Sequence, residues 1–194
     1  MLSHILPPYF KKALEKNKDL RFELHNTGYE ESLELLLTGN VDFMVYPATK
    51  DSLPKNIEVE EFYKCKFGLI LNKNHTLAAV DEKDINWNDI SKYDYVSLGN
   101  KVTAQRLKST LEANSVGSKF KLNNGTWEIC LGLIKENLTI SGADVQYAEG
   151  HKDIIFKECS NLMPEYQFHI LINKSFKISK ASKDLLKILR AKKL

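Results

Sequence analysis

Uncharged hydrogen-bond donors stand just ahead of expected helices in this chain: Ser97 and Asn100 with Thr103, and Thr126 before a strongly phased apolar stretch. The first backbone N–H groups of a helix are unpaired, so hydroxyl and amide side chains beside them suit a carboxylate or another small polar ligand. Open α/β sheets hold ligands in the loops at the carboxyl ends of their strands. Five segments are expected there: Asn26 to Tyr29, Pro47 to Thr49, Leu98 to Thr103, Asn123 to Thr126 and Ser141 to Asp144. Any one of these residues also serves as an ordinary helix cap or turn residue.

Covalent chemistry has no comparable footing. The sequence contains no G-x-S-x-G, H-E-x-x-H, P-loop or G-x-G-x-x-G pattern. Of the histidines His4, His25, His75, His151 and His169, no two are spaced to share a helix face, so no metal site is expected. Glu30 and Glu31 open a helix, where carboxylates favour the positive end of the macrodipole. These observations predict a binding protein without catalytic residues, metal or cofactor.

The elements that position the loops follow from periodicity. Leu6, Tyr9, Phe10, Ala13 and Leu14 share one helical face, with Pro7 and Pro8 tolerable in the first turn. Leu20, Phe22 and Leu24 alternate with polar residues as a strand would. Thr27 and Gly28 start a helix through Leu33, Leu36 and Leu37 that Gly39 stops, and Val41 to Tyr46 reads as a strand. This helix, strand, helix, strand order is the wiring of a parallel sheet covered by helices, lacking its usual first strand.

Ile57 to Leu71 gives two extended stretches, the second ending in the apolar run Phe67 to Leu71. Trp87 to Ser91 and Thr103 to Ala113 read as helices, and Tyr93 to Leu98 and Lys119 to Leu122 as strands. Trp127, Cys130, Leu131 and Ile134 hold positions i, i+3, i+4 and i+7 of the clearest helix. Leu138 to Ile140, Ile154 to Phe156 and Phe168 to Ile172 are expected strands, and Ser179 caps a last helix through Leu185, Leu186 and Leu189.

With 43% hydrophobic and 27% charged residues, the 194-residue chain has a globular composition, so disorder is not expected. The net charge of +3 leaves 28 basic and 25 acidic residues nearly balanced, which does not imply a nucleic-acid surface. The basic C-terminal segment, Lys177, Lys180, Lys183, Lys187, Arg190, Lys192 and Lys193 with Asp184, reads as a solvated helix face before it reads as a nucleic-acid contact. Cys65, Cys130 and Cys159 are widely spaced, as buried thiols are. No run approaches the ~18 apolar residues of a membrane span, and no signal peptide pattern opens the chain, so a cytoplasmic protein is expected.

Four stretches, in order, resemble the effector-binding domain of LysR-type transcriptional regulators. They are Ile5-Leu6-Pro7 with Phe10, Leu37-Thr38-Gly39-Asn40-Val41-Asp42-Phe43, Asn74-His75-Thr76-Leu77-Ala78, and the helix Trp127 to Ile134 leading into Leu138 to Ile140. The resemblance covers almost the whole chain. It implies an α/β fold of two periplasmic-binding-protein-like lobes (type 2), each a mixed sheet flanked by helices, joined by two crossover strands. Residues 1–71 plus 167–194 would form lobe I and 72–166 lobe II, with a small-molecule effector between them.

Carried over by position, the ligand residues implied are Gly28, Tyr29, Pro47, Ala48, Ser97, Leu98, Gly99, Asn100 and Thr126. The sequence departs from the family where Asn137-Leu138-Thr139 replaces G-L-G, where Ala143-Asp144 replaces L-P, and where Thr76 replaces a proline. The resemblance also implies a homodimer or higher homo-oligomer, no membrane partner, and DNA contact only through a winged helix-turn-helix that this chain does not include. A stand-alone or transport-type small-solute-binding protein of similar build is the alternative expectation, with an enzyme on a related fold as a third.

Overall fold

The computed structural model describes residues 5–47, 53–96, 109–117, 119, 127–159, 162 and 166–191. The chain divides into two compact units, Met1–Lys64 with Gln167–Leu194, and Cys65–Tyr166. The first division falls at Lys64 rather than at the expected Leu71, because the strand Phe67–Asn72 pairs with strands of the second unit.

The first unit opens with helix α1 (Pro7–Lys16), whose prolines sit where no intrahelical N–H is required. Its buried side chains are Tyr9 and Ala13, with Ile5 ahead of them, and it packs on the last helix. The expected apolar face is therefore rotated: Leu14 is exposed, and Phe10 leans on Phe22 with ring centroids 5.0 Å apart. Leu20 to Leu24 is not a strand. Its alternation buries only Leu20 and Phe22 in part and leaves Leu24 69% exposed, and among the described residues it joins no ladder. Without a neighbouring strand, alternation alone does not make a sheet.

Helix α2 (Tyr29–Leu37) starts at Gly28 and stops at Thr38, whose hydroxyl donates to the Glu34 carbonyl at 2.8 Å. Gly39 then takes φ +74, a left-handed turn that a side chain resists, with the Phe176 ring directly over its α-carbon. Strand β1 (Met44–Tyr46) is three residues long, shorter than the expected Val41 to Tyr46, since residues 41–43 are still turning out of the helix. The sheet has the order β1-β7-β2, with β2 at Ile57–Cys65 and β7 at Tyr166–Asn173. β1 runs antiparallel to β7, with Met44 opposite Leu171 and Tyr46 opposite His169, so the expected parallel pairing of the first strands is not formed. Leu36, Met44, Tyr46, Ile57 and Leu171 make its core cluster.

In the second unit the sheet order is β4-β5-β3-β6, with β3 at Phe67–Asn72, β4 at Tyr95–Val96, β5 at Ile140–Asp144 and β6 at Ile154–Lys157. β3 is buried at every position because it lies between antiparallel neighbours on both sides. β4 is parallel to β5. A 3₁₀ turn (Thr76–Ala79) and the short helix α3 (Trp87–Ile90), with its Asn86/Asp89 capping box, follow β3. Residues 109–113 are helical. Helix α4 (Trp127–Lys135) packs Cys130 and Ile134 against Ile70, Val96, Ala143 and Ile154.

Two sequence expectations are displaced here. The strand expected at Leu138 to Ile140 begins only at Ile140, because Asn137 adopts φ 57 and Leu138 N–H closes the helix end on the Leu133 carbonyl, leaving Leu138 52% exposed. Ser141 to Asp144, expected as a loop, is consequently the body of β5. Of the segments expected at Tyr93 to Leu98, Thr103 to Ala113 and Lys119 to Leu122, residues 97–108 and 120–122 lie outside the described residues.

The chain returns to the first unit through β7 and ends in α5 (Lys180–Arg190). Ser179 caps it by accepting from Ser182 N–H at 3.1 Å. Asp42 accepts from Ser179 N–H at 2.8 Å and from the Ser182 hydroxyl at 2.9 Å, placing a carboxylate at the positive end of that helix. Arg190 in its last turn pairs with Glu60 of β2 at 2.7 Å.

Candidate functional site

In the first unit the residues expected to bind ligand gather at the carboxyl end of β1. Gly28 is exposed, with open space where a side chain would project, and its carbonyl accepts the first intrahelical bond from Ser32 at 2.9 Å. Thr27 and Ser32 hydroxyls lie 2.6 Å apart and tie the entering strand of chain to the helix start. Tyr29, the first helical residue, lays its ring against Tyr46 at a centroid distance of 4.9 Å. Pro47 follows directly and is half-buried. Ala48 lies outside the described residues.

Tyr46 is the residue that sequence reading missed. Its side chain is 6% exposed, and its hydroxyl has no hydrogen-bond partner. Burial, then the Glu30 carboxylate, then Tyr29 push its pKa up to about 12, so it remains a neutral donor at physiological pH. A buried hydroxyl without a partner forfeits roughly 1–3 kcal/mol of hydration that a ligand group can restore. A tyrosine closing a strand that runs into an expected site was the only signal available from sequence.

In the second unit β4 and β5 run parallel, so Val96 and Asp144 lie toward the same end of the sheet. Ser97, Leu98, Gly99, Asn100 and Thr126 all lie outside the described residues. What is described at this edge is Asp144, the 3₁₀ turn Val145–Tyr147 and the start of α4. Asp144 is 1% exposed; one carboxylate oxygen accepts from Gln146 N–H at 3.0 Å and the other has no partner. The Trp127 ring meets Tyr147 edge-on at 4.3 Å, and its indole N–H is buried without an acceptor.

None of the three cysteines forms a disulfide, and all are buried, with burial pushing the Cys130 and Cys159 thiols up to about 11. Such thiols are poor nucleophiles near neutral pH. Among the described residues no group of three or more His, Cys, Asp or Glu is placed to hold a metal ion, and no helix is long and apolar enough to cross a membrane.

Comparison with known proteins gives the context for these edges. Residues 1–193 match the family model of the LysR substrate binding domain. The malolactic fermentation system transcriptional activator of Lactococcus lactis is 28% identical over 201 residues, covering 96% of this chain and 66% of its own length. A probable RuBisCO transcriptional regulator of Trieres chinensis is 23% identical over 106 residues, 54% of this chain and 34% of its own. The chain thus spans about two thirds of one of these regulators and matches about one third of the other.

Among solved structures, the regulatory domain of Synechocystis PCC6803 CcmR in complex with 2-PG superposes with a TM-score of 0.81 at 12% identity, covering 97% of this chain and 91% of that one. The effector binding domain of QuiR in complex with shikimate gives 0.76 at 17% identity, covering 96% and 88%. The fold is therefore that of LysR effector-binding domains, the two-lobed α/β build expected from the sequence.

Proposed function

Because this chain belongs to the LysR substrate-binding domain family, we propose that it is the effector-sensing part of a transcription regulator, binding a small molecule and performing no covalent chemistry. The observation that carries this reading is the family match across residues 1–193. The named regulators among its relatives favour it over a transport role. Sensing requires only that the effector bind one conformation of the domain more tightly than another, since that difference in affinity sets the response.

The effector contacts include Gly28, Tyr29, Tyr46 and Pro47 of the first unit, together with Ala48, Ser97, Leu98, Gly99, Asn100 and Thr126, which the family resemblance implies. Hydroxyl and backbone donors there favour an effector with an anionic group. The protein works in the cytoplasm, in keeping with three buried thiols and no disulfide. Operator contact is the task of sequence outside these 194 residues, consistent with the 66% of the Lactococcus activator that the chain spans.

The domain acts as a homodimer. Support comes from α1, where Pro7, Phe10 and Leu14 line an open apolar strip edged by Lys11, Glu15 and Lys18. Leu14→Lys is expected to shift the chain to monomer in light scattering, and a dimer unchanged by it places the interface elsewhere.

A thermal-shift screen against amino acids, carboxylates and inorganic anions tests the sensing function. A ligand at ~100 times its Kd stabilises by about 2.7 kcal/mol. Hits are expected to weaken in Ser97→Ala and Thr126→Ala. A folded chain that no compound of these classes stabilises contradicts the reading.

A further inference from the structure

The turn after β7 and the first half of α5 carry positive charge that the fold leaves unanswered. Lys174, Lys177, Lys180 and Lys183 stand at every third position there, and all are exposed. No acidic residue lies between Lys174 and Lys183 in sequence, and among the described residues none of these lysines pairs with an acid. The acids of this region are engaged elsewhere: Asp42 accepts from Ser179 and Ser182, Asp184 pairs with Lys187 at 3.0 Å, and Glu60 pairs with Arg190.

The turn that begins this row is held in place. Lys174 N–H donates to the Asn56 carbonyl at 2.9 Å, Ser175 N–H to Asn173 Oδ1 at 3.0 Å, and Ser179 N–H to Asp42 at 2.8 Å. Phe176, between Lys174 and Lys177, lays its ring on Gly39, with ring atoms 2.9 to 3.0 Å from where a side chain would start, yet it remains 47% exposed. Sequence alone favours a solvated face here; a fixed turn presenting an aromatic ring among lysines is more order than a solvated face requires. Exposed rings interleaved with basic side chains suit nucleic acid, where lysines meet phosphates and the ring meets sugar or base.

We propose that residues 173–183 form a contact surface for duplex DNA, with the lysines on phosphates and Phe176 against the sugar. The proposal rests on the reading of this chain as part of a transcription regulator. Tethered to an operator by the rest of that regulator, the surface meets adjacent DNA at a roughly millimolar effective concentration, so a weak contact without sequence preference suffices. Base reading stays with sequence outside these 194 residues. An acidic protein segment is the competing partner, but a duplex, with one charge per ~1.7 Å of its axis, better matches an unbroken row of lysines.

The test follows binding of a fluorescent duplex of arbitrary sequence to the whole chain by anisotropy across a salt series. Four phosphate contacts predict that log K falls with log salt at a slope of about −3 to −4. Lys177→Gln/Lys180→Gln/Lys183→Gln is expected to weaken binding roughly tenfold or more at low salt and to flatten the slope by about 2 to 3. Those lysines form no ion pair, so this variant should melt with the native chain. Phe176→Ala is expected to weaken binding severalfold with the slope unchanged. Lys83→Gln/Lys135→Gln/Lys152→Gln removes the same charge from exposed positions of the second unit and is expected to bind as the native chain does.

Absence of DNA binding at low salt overturns the proposal. Equal losses in the two triple variants also overturn it, since net charge rather than this surface would then be the cause. Tighter binding to poly-L-glutamate than to the duplex at equal charge assigns the surface to an acidic protein segment and equally overturns it. Effector binding is read separately: failure of the DNA contact leaves the sensing function standing, and a chain that binds DNA through these lysines but no effector keeps the surface while the sensing reading fails.

Discussion

Each sheet has two unlike edges. At one, a buried asparagine ends a strand with its amide engaged: Asn72 ends β3, donating to the Lys135 carbonyl at 2.6 Å and accepting from Asn74 N–H at 2.8 Å. Asn173 ends β7, donating to the Leu36 carbonyl at 3.1 Å and accepting from Ser175 N–H and Asn56 Nδ2, each at 3.0 Å. At the opposite edges, where antiparallel β5 and β1 end, Asp144 and Tyr46 are as deeply buried yet have an oxygen without a partner. The asparagines complete their hydrogen bonds within the fold; the other pair keeps hydrogen-bonding capacity that the fold does not use.

The comparison breaks most readily at the asparagines. Asn173→Leu removes the donor to Leu36 and the acceptor of Ser175 N–H, leaving Asn56 Nδ2 only the Ser175 hydroxyl at 3.3 Å, so urea unfolding should show a loss of about 2–4 kcal/mol, with Asn72→Leu close behind. Tolerance of both would mean that the closed edges are no more structural than the open ones.

A pH series sharpens the contrast next. His75, whose N–H donates to the Asn72 carbonyl at 2.9 Å, is buried, and burial lowers its pKa from the usual value. The unfolded chain therefore binds a proton that the folded chain resists. Stability from His75 is complete above the unfolded pKa of about 6.5 and is lost as pH falls from there toward the folded value. Melting temperature should drop between pH 7.5 and 5.5, and the slope should flatten in His75→Gln.

Arg190→Ala breaks an exposed pair with Glu60 that lies on neither edge, with an expected cost under about 1 kcal/mol. Smallest of all, Tyr46→Phe should leave ligand-free stability within about 0.5 kcal/mol of the native chain, since its hydroxyl has no partner to lose. A drop as large as that of Asn173→Leu would erase the distinction between the edges.

Helix spacing was the most legible feature of the sequence. Trp127, Cys130 and Ile134 meet the sheet as their period requires, and Ser179 caps the last helix through its hydroxyl. Strands were less legible, since a strand needs a neighbour that periodicity does not supply. Leu20 to Leu24 alternates without joining a ladder, and Asn137 delays β5 through a left-handed turn that Leu138 to Ile140 gives no sign of. For the site, Gly28 and Tyr29 could be placed from helix-start chemistry, and Asp144 stood out as a departure from the family pattern. That Tyr46, Asp144 and Trp127 hold unpartnered atoms depends on what packs around them, which local sequence does not encode.

On the proposed function, the effector meets the sheet ends whose buried polar atoms lack partners. Amide chemical-shift mapping with a stabilising compound from the screen tests it directly. Shifts are expected at Gly28, Tyr29, Tyr46, Asp144 and Gln146 and at the Trp127 indole N–H, with Asn72 to His75 and Asn173 to Ser175 quiet. Shifts confined to the asparagine edges, with the Trp127 indole unmoved, would contradict it.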